Sequence, residues 1–307
     1  MFATEQNLET IGIRMTYIRQ GKEKERLVDS YVFYRSELLQ YVTSLIEDYL
    51  AFYNVIDRHI GKRNETIKSL TFPFDNYRDG QRKLAKYSYA IAKNGGRLFV
   101  EAPTGIGKTM STLFPYVKAL SKDELAKVFY LTAKTSGKES AHHALQILED
   151  KGAFLGRIVV TAKDKICLNK QKSCNPDECI YAKGYYTKLK TILNYALLKY
   201  RDFDYERIVE IAKDYNVCPF ELELDLSLFL DVIICDYNYL FDPISYMKRY
   251  FDEDSSHYLA LVDEAHNLVD RSRDMYSEVI DEEEFKLAKK SVRKSSLSKL
   301  KTQLAKI

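Results

Sequence analysis

The chain carries little net charge, no long apolar run and few cysteines. Its 307 residues have a formal net charge of only +3 at pH 7, so the overall charge does not by itself demand a nucleic-acid partner. No stretch is apolar over the length needed to cross a membrane, and no secretory signal is visible. We therefore expect a cytoplasmic protein without a membrane partner. Internal repeats and low-complexity segments are also absent.

The five cysteines lack the two tight pairs that are typical of structural zinc sites. In a cytosolic chain a cysteine cluster indicates metal binding rather than disulfides. Iron–sulfur clusters tolerate irregular spacing, and Pro219 follows the last clustered cysteine, as in some ferredoxins. The spacing therefore favours an iron–sulfur cluster over zinc only mildly, and four unligated cysteines remain an alternative. The candidate ligands, with 6, 4 and 38 residues between them, are Cys167, Cys174, Cys179 and Cys218.

A glycine-containing loop lies between an apolar run and a helix-like stretch. Its glycines can close their backbone N–H groups around phosphate oxygens, and the following helix presents its positive end to the same anion. In such loops the lysine reaches the β- and γ-phosphates, and the next hydroxyl binds Mg²⁺. The usual first glycine is replaced by alanine, and a chance glycine-rich turn is the alternative. The predicted ATP-binding residues are Ala102, Pro103, Thr104, Gly105, Ile106, Gly107, Lys108 and Thr109.

An acidic pair follows a second apolar run, where residues 263–266 read Asp-Glu-Ala-His. A phosphate-binding loop and a carboxylate pair that can hold a metal are the minimum set for nucleoside triphosphate hydrolysis. Alone, this tetrapeptide could equally be the solvated start of a helix. The order of the two motifs, each after an expected strand, favours the catalytic interpretation.

Short apolar runs alternate with helical patterns from residue 78 onwards, which predicts a parallel α/β sheet. Ligands of such sheets bind at the carboxyl ends of the strands, where both motifs lie. Helices are expected over Arg78–Asn94, Lys183–Tyr200 and Tyr205–Asp214, and the last two suggest that the cysteine window is an insert outside the sheet. The predicted strands are Arg97–Glu101, Lys127–Thr132, Arg157–Thr161, Asp231–Cys235 and Tyr258–Val262.

The first 60 residues predict a hairpin and a helix that cannot build a core of their own. The expected strands are Thr10–Arg19 and Arg26–Phe33, with a turn at residues 20–22 between them. An apolar stripe predicts a helix from Ser36 to about Ile60. We interpret this segment as the tail of another domain or as an appendage.

Five motifs in order make residues 70–307 resemble XPD/DinG-type iron–sulfur helicases of superfamily 2. They are Tyr-Arg-Asp-Gly-Gln at 77–81, the phosphate loop at 101–109, Leu-Thr-Ala-Lys-Thr at 131–135, the cysteines ending in Cys218-Pro219, and the stretch 231–240 before Asp-Glu-Ala-His. The family accepts alanine at the first loop position.

The resemblance implies an α/β fold: a parallel-sheet RecA-like P-loop domain with an inserted iron–sulfur cluster domain and the start of a helical Arch domain. The hairpin and helix of residues 1–60 resemble the end of a PD-(D/E)XK nuclease domain. The implied divisions are 61–160 and 226–271 for the RecA-like domain, 161–225 for the cluster insert and 272–307 for the Arch.

The resemblance also implies roles for individual residues. Lys108 is expected to hold phosphates, Thr109 and Asp263 to bind Mg²⁺, and Glu264 to orient and deprotonate the attacking water. His266 is expected to link the nucleotide state to DNA. Gln81 is expected to contact adenine. The expected DNA contacts are Thr132, Lys134 and Thr135, and the four clustered cysteines are expected to ligate a [4Fe–4S] cluster.

The implied function is that of an ATP-dependent DNA helicase moving 5′ to 3′ on single-stranded or forked DNA. We interpret the chain as a fragment without a second RecA-like domain. Because that domain supplies the arginines that stabilise the transferring phosphate in the family, we expect weak ATP hydrolysis. A helicase–nuclease fusion, a cluster-containing DNA-binding module without turnover, and an RNA substrate remain alternatives. Protein partners and the physiological pathway stay open.

Overall fold

The computed structural model describes residues 2–19, 22–121, 127–171, 173–252, 257–279, 281–293 and 302–303. The strands are β1 (Thr10–Arg19), β2 (Lys22–Tyr34), β3 (Lys127–Leu131), β4 (Arg157–Val159), β5 (Asp202–Phe203), β6 (Val232–Cys235) and β7 (Tyr258–Val262). The helices are α1 (Phe2–Glu5), α2 (Arg35–Ser69), α3 (Gln81–Asn94), α4 (Lys108–Ala119), α5 (Thr135–Asp150), α6 (Lys163–Ile166), α7 (Tyr185–Lys199), α8 (Tyr205–Tyr215), α9 (Pro219–Ser227), α10 (Asn238–Phe241), α11 (Lys248–Phe251), α12 (Leu268–Met275) and α13 (Glu282–Arg293).

Five parallel strands form the central sheet in the order β5-β4-β6-β3-β7. Strands β3 and β6 are short apolar runs whose residues are all buried, because helices cover both faces of the sheet. Two hydrophobic clusters fill the space on either side of these strands. The predicted parallel α/β fold is confirmed.

One predicted strand is absent: Arg97–Glu101 has no regular secondary structure. The side chain of Phe99 is 89% exposed, and β7 is the last paired strand on this side of the sheet among the described residues. Gly95 and Gly96, both at positive φ, lead the chain into this segment. The apolar run has a high strand propensity, but a strand forms only where a neighbouring backbone pairs with it. The prediction of a strand at Arg97–Glu101 was therefore wrong.

The predicted N-terminal hairpin is present as the antiparallel pair β1–β2, whose register matches Ile11 with Phe33. Part of the predicted turn, at residues 20 and 21, lies outside the described chain. Helix α2 continues to Ser69 instead of ending near Ile60, because Ile67 is fully buried in the cluster that contains α4. The helix therefore crosses the expected domain boundary at residue 60.

Helix α2 is joined to the sheet by a buried polar network around Asp231, just before β6. Arg63 Nη1 donates to Asp231 Oδ1 at 2.8 Å, and His59 Nε2 lies 2.7 Å from Asp231 Oδ2. The backbone N–H of Gly156 also donates to Oδ2, at 2.7 Å. Burial raises the pKa of Asp231, but His59, Arg63 and this N–H outweigh it, so the net pKa is lowered. Asp231 is therefore held as a carboxylate.

The cysteine window differs from the expected separate insert, since β5 lies within it and forms an edge of the central sheet. Phe203 of β5 is fully buried and pairs with Ile158 of β4. Helices α7 and α8 agree closely with the two predicted helices. The strand escaped prediction because two residues are too few to show alternation.

After β7 the chain continues into α12 and α13, and the assignment of residues 272–307 to an Arch domain stays a prediction. Residues 294–301 and 304–307 of that segment lie outside the described chain. Within the described residues, no helix combines the length and apolar character needed to span a membrane.

Candidate nucleotide site

The phosphate loop and the acidic pair face each other across a cleft of about 440 Å³ at the carboxyl ends of β3 and β7. Parallel strands bring their carboxyl ends to one edge of the sheet, where Asp263 follows β7. The phosphate loop follows the non-strand segment 97–101 and leads into α4, which packs in the same core cluster as Val128 and Tyr130 of β3. The cleft is lined by Arg78, Thr104, Gly105, Gly107, Lys108, Thr109, Thr132, Ala133, Lys134, Ser136, Gly137, Ser140, Tyr237, Asp263, Glu264 and Asn267.

The phosphate loop has the backbone that an anion cradle needs. Gly105 and Gly107 have φ of +82° and +81°, a region in which side chains are strained. Helix α4 starts directly after Gly107, so its free N–H groups and positive dipole end face the cleft. The Lys108 ammonium donates to the Ala102 carbonyl at 3.1 Å and lies 3.7 Å from Oε1 of Glu264.

Gln81 supports the loop from below instead of lining the cleft. It is 3% exposed, and its Oε1 accepts from the Arg78 N–H at 2.7 Å. A Cβ at position 107 would lie 2.3 Å from Nε2 of Gln81, so glycine is needed for this close approach. A contact between Gln81 and adenine stays a prediction.

The acidic pair extends directly from the sheet. The Asp263 N–H continues the β3–β7 ladder by donating to the Leu131 carbonyl at 2.9 Å. The Tyr130 hydroxyl contacts the side chains of both Thr109 and Asp263, so the two predicted Mg²⁺ ligands lie around one buried hydroxyl. Burial raises the pKa of Asp263, Tyr130 opposes this, and Glu264 adds to it. Carboxylate and hydroxyl oxygens at this point suit Mg²⁺.

Glu264 has a left-handed backbone with φ of 49° and ψ of 47°. This conformation turns the chain sharply after β7 and leaves the Glu264 carboxylate in the cleft lining. His266 Nδ1 lies 3.4 Å from Oε2 of Glu264, but the His266 side chain is 71% exposed and outside the lining. Its role as a link to DNA stays a prediction.

The segment predicted to contact DNA adjoins the nucleotide cleft. Thr132 and Lys134 belong to the lining, whereas Thr135, the first residue of α5, does not. Gly137 in the first turn of α5 packs so closely that a Cβ there would lie 2.2 Å from Oγ1 of Thr132 and 3.2 Å from Oδ2 of Asp263. This turn therefore touches a predicted DNA contact and a predicted metal ligand together.

Several lining residues were not assigned to the site from sequence, chiefly Arg78, Gly137, Tyr237 and Asn267. Arg78 donates to the Gly105 carbonyl through Nη1. The only sequence signal was position, because Arg78 and Tyr237 lie inside stretches that resemble family motifs. Asn267 follows Asp-Glu-Ala-His directly, and Gly137 carries no such signal.

Cys167 directly follows α6, Cys174 and Cys179 lie in the segment before α7, and Cys218 directly precedes α9. Cys235 is buried in the core, as predicted. The Lys163 ammonium hydrogen-bonds Cys174 and is close enough to Cys218 for the two thiols to raise the pKa of Lys163. Cys167 lies near Cys218. Within the described part of the chain, no three His, Cys, Asp or Glu side chains stand close enough together to hold a metal ion.

Comparisons with known proteins identify relatives. The DEAD_2 family model matches residues 154–285. The ATP-dependent DNA helicase XPD of Sulfolobus acidocaldarius is 26% identical over 241 residues, which is 75% of this chain and 40% of that protein. The regulator of telomere elongation helicase 1 homolog of Caenorhabditis briggsae is 25% identical over 244 residues, 65% of this chain and 24% of that protein. A solved structure described as an XPD helicase has a TM-score of 0.49 and 23% identity, covering 76% of this chain and 41% of that chain.

A parallel sheet with a phosphate loop and an acidic pair at its strand ends defines a P-loop nucleotide-binding protein. The matched family model and these helicase relatives agree with this arrangement and with the resemblance to the XPD/DinG-type helicases of superfamily 2. The chain spans less than half the length of the curated relatives it matches.

Proposed function

We propose that this chain is the ATP-binding and hydrolysing part of a DNA helicase. The observation that carries the proposal is the placement of Lys108 and Glu264 across one cleft, 3.7 Å apart, at the carboxyl ends of β3 and β7. A phosphate-binding cation and a carboxylate base must both reach the same γ-phosphoryl group, and these two side chains lie at one point of the cleft.

Each residue then has a defined task in hydrolysis. Lys108 and the loop N–H groups hold the phosphates and offset their charge. Thr109 and Asp263 supply oxygen ligands for Mg²⁺, which when bound neutralises charge on the β- and γ-oxygens. Glu264 orients the attacking water and accepts its proton. Lys108 is paired with Glu264 at 3.7 Å, so the phosphates of ATP compete with this carboxylate for the ammonium.

The nucleic-acid part of the proposal rests on the relatives and on the first turn of α5. Thr132, Lys134 and Thr135 are proposed to contact single-stranded DNA, in keeping with the helicase names of the relatives. Because Gly137 of the same turn packs against Asp263, a shift of this turn on binding single-stranded DNA would displace the proposed metal ligand Asp263. Movement from 5′ to 3′ on single-stranded or forked DNA and coupling through His266 belong to this proposal.

A [4Fe–4S] cluster held by Cys167, Cys174, Cys179 and Cys218 completes the proposal. Thiolates are the usual ligands of such clusters, and Lys163 offers a neighbouring cation that suits their negative charge. Closing these thiols around a cluster requires them to approach further than they do in the described chain. The cluster would order the region before α7.

The test is nucleotide binding and single-turnover ATP hydrolysis with protein in excess, with and without single-stranded DNA. We expect Mg²⁺-dependent ATP binding that Lys108→Ala abolishes, and slow hydrolysis that Glu264→Gln removes by about 100-fold or more. Lys83→Ala, an exposed substitution on α3, is the matched control. Binding of ATP without any turnover would favour a DNA-binding module instead. Equal stimulation of hydrolysis by RNA and by DNA would contradict DNA as the specific substrate.

A further inference from the structure

The turn after β7 is held by side chains that are neither phosphate nor metal ligands. Glu264 is one of only three non-glycine residues with positive φ among the described residues. A left-handed backbone is strained for a residue with a side chain and persists only where its surroundings enforce it. The contacts that enforce it therefore decide where the Glu264 carboxylate points.

Two side chains supply these contacts. The Tyr237 hydroxyl donates to the Asp263 carbonyl and lies 3.1 Å from the Glu264 carbonyl. The Glu264 carbonyl also accepts from the Asn267 backbone N–H and from Asn267 Nδ2, each at 3.0 Å. The peptide groups on both sides of the Glu264 Cα are thus held: Tyr237 bonds the Asp263 carbonyl, and Tyr237 and Asn267 both bond the Glu264 carbonyl.

Tyr237 is suited to this task by its own anchorage. It follows β6, the strand beside β3, and its side chain is fully buried in the core cluster below the sheet edge. Tyr237 also belongs to the cleft lining, and its hydroxyl bonds the turn beside the cleft. A rigid ring held by the core gives the hydroxyl a fixed position, as precise active sites require of supporting groups.

We propose that Tyr237 is a positioning residue for hydrolysis, which holds the left-handed turn so that Glu264 faces Lys108 and the attacking water. This inference rests on the proposed ATPase function and adds a residue to which the sequence pattern gave no role. The Tyr237 hydroxyl bonds the carbonyls of Asp263 and Glu264 and none of the phosphate-loop residues, so we expect its loss to change the geometry of the base more than the phosphate cradle.

The test is Tyr237→Phe, which removes one hydroxyl and keeps the ring in the core. We expect the single-turnover hydrolysis rate to fall by roughly 10- to 100-fold, because displacement of a catalytic group by about 1 Å has effects of that order. The dissociation constant of Mg²⁺–ATP should stay within about twofold, because Lys108 and the loop are untouched. The matched control is Tyr239→Phe, whose hydroxyl donates to the Thr161 carbonyl at 3.3 Å away from the cleft.

Hydrogen exchange gives a readout that needs no ATP. The amide hydrogen of Asn267, which bonds the Glu264 carbonyl, should exchange faster in Tyr237→Phe than in the parent chain. Its exchange rate should be unchanged in Tyr239→Phe. A peptide covering residues 263–268 reports both rates. If Tyr237→Phe does not fold, Asn267→Ala should show the same split between rate and affinity. Unchanged hydrolysis, or an equal loss in rate and ATP affinity, would overturn the positioning role. If the parent chain neither binds nor hydrolyses ATP, the proposed function is overturned. Faster hydrogen exchange in Tyr237→Phe would still show, in that case, that Tyr237 holds the turn.

Discussion

The Lys108 ammonium is paired with the Glu264 carboxylate across the cleft, at 3.7 Å, while it also donates to the carbonyl of Ala102. The same ammonium is expected to bind the phosphates of ATP, so Glu264 competes with the nucleotide for it. Both side chains are partly exposed, at 30% and 40%, so the pair is weak and easily displaced.

Glu264→Gln should therefore tighten Mg²⁺–ATP binding by about two- to fivefold, the range of a partly exposed ion pair, although it abolishes hydrolysis. Removing the charge both frees Lys108 and lowers repulsion of the phosphates. Equilibrium binding of a fluorescent ATP analogue measures the effect, with Glu206→Gln on the surface of α8 as the control. Weaker binding in Glu264→Gln would show that Glu264 takes part in holding the nucleotide.

Arg63→Ala should lower the free energy of unfolding by about 3–5 kcal/mol, because it removes the arginine that pairs with the buried Asp231 carboxylate. Arg63 also donates to the Leu120 carbonyl at 3.1 Å, so a second buried group loses its donor. Denaturant unfolding followed by circular dichroism measures this change. Arg58→Ala, an exposed arginine on the same helix, should change stability by less than about 0.5 kcal/mol. Equal effects of the two substitutions would contradict a tight junction between α2 and the sheet.

Stability should rise with pH above about 8 because of Lys127. Burial lowers its pKa from 10.5 to about 8, opposed in part by Asp231, while its Nζ donates to the Leu228 and Leu230 carbonyls. Between these two pKa values the unfolded chain binds more protons than the folded one, so raising the pH favours folding. Unfolding between pH 7.5 and 9.5 measures the slope, and Lys127→Met should flatten it. A slope that is the same in both proteins would contradict a buried charged lysine.

Gly137→Ala should weaken Mg²⁺–ATP binding and lower hydrolysis, because the added methyl group would meet Oγ1 of Thr132 and Oδ2 of Asp263. We expect an effect of about tenfold, typical of a small displacement at a metal ligand. Gly152→Ala is the matched control for loss of a glycine, as a Cβ there meets nothing within 4 Å, although its φ of +100° adds strain. Mg²⁺ titration at fixed ATP separates the metal effect from general destabilisation, which unfolding curves report.

Cys174→Ser should abolish the proposed cluster. Protein purified without oxygen should be brown and carry about four irons and four sulfides per chain. Cys235→Ala is the control, since this thiol is fully buried in the core and its pKa is raised by burial to about 12, so it is no thiolate ligand. A colourless protein with one zinc would leave the ATP site intact and replace the cluster by a zinc-stabilised insert.

The sequence predicted the sheet and the main motifs because their signals are local. Buried parallel strands such as β3 and β6 are continuous apolar runs, and the phosphate loop is contiguous in the chain. The failed strand at Arg97–Glu101 shows the limit, since pairing depends on a neighbour that the local sequence does not contain. The two-residue strand β5 and the length of α2 depended likewise on distant partners, Ile158 in the first case and the α4 cluster in the second.

Within the site, the residue types were predictable and their mutual support was not. Gln81 lies in a motif that suggested a contact with adenine, yet it is buried under Gly107. Tyr237 gave no chemical signal, because a tyrosine in an apolar stretch looks like any core residue. Its hydroxyl became informative only once the fold had brought the strand ends together.

The parallel pairing of β3 has a consequence for how the chain folds. Its two neighbours, β6 and β7, are synthesised about 100 and about 130 residues later, after the whole cysteine window. Sheets built from such distant segments close slowly, because the chain must form a large loop before any strand pairs. Until then the apolar side chains of Val128, Phe129 and Leu131 have no partner strands. Synthesis of the cysteine window, and any loading of metal into it, thus precedes the closure of the sheet that carries the nucleotide site.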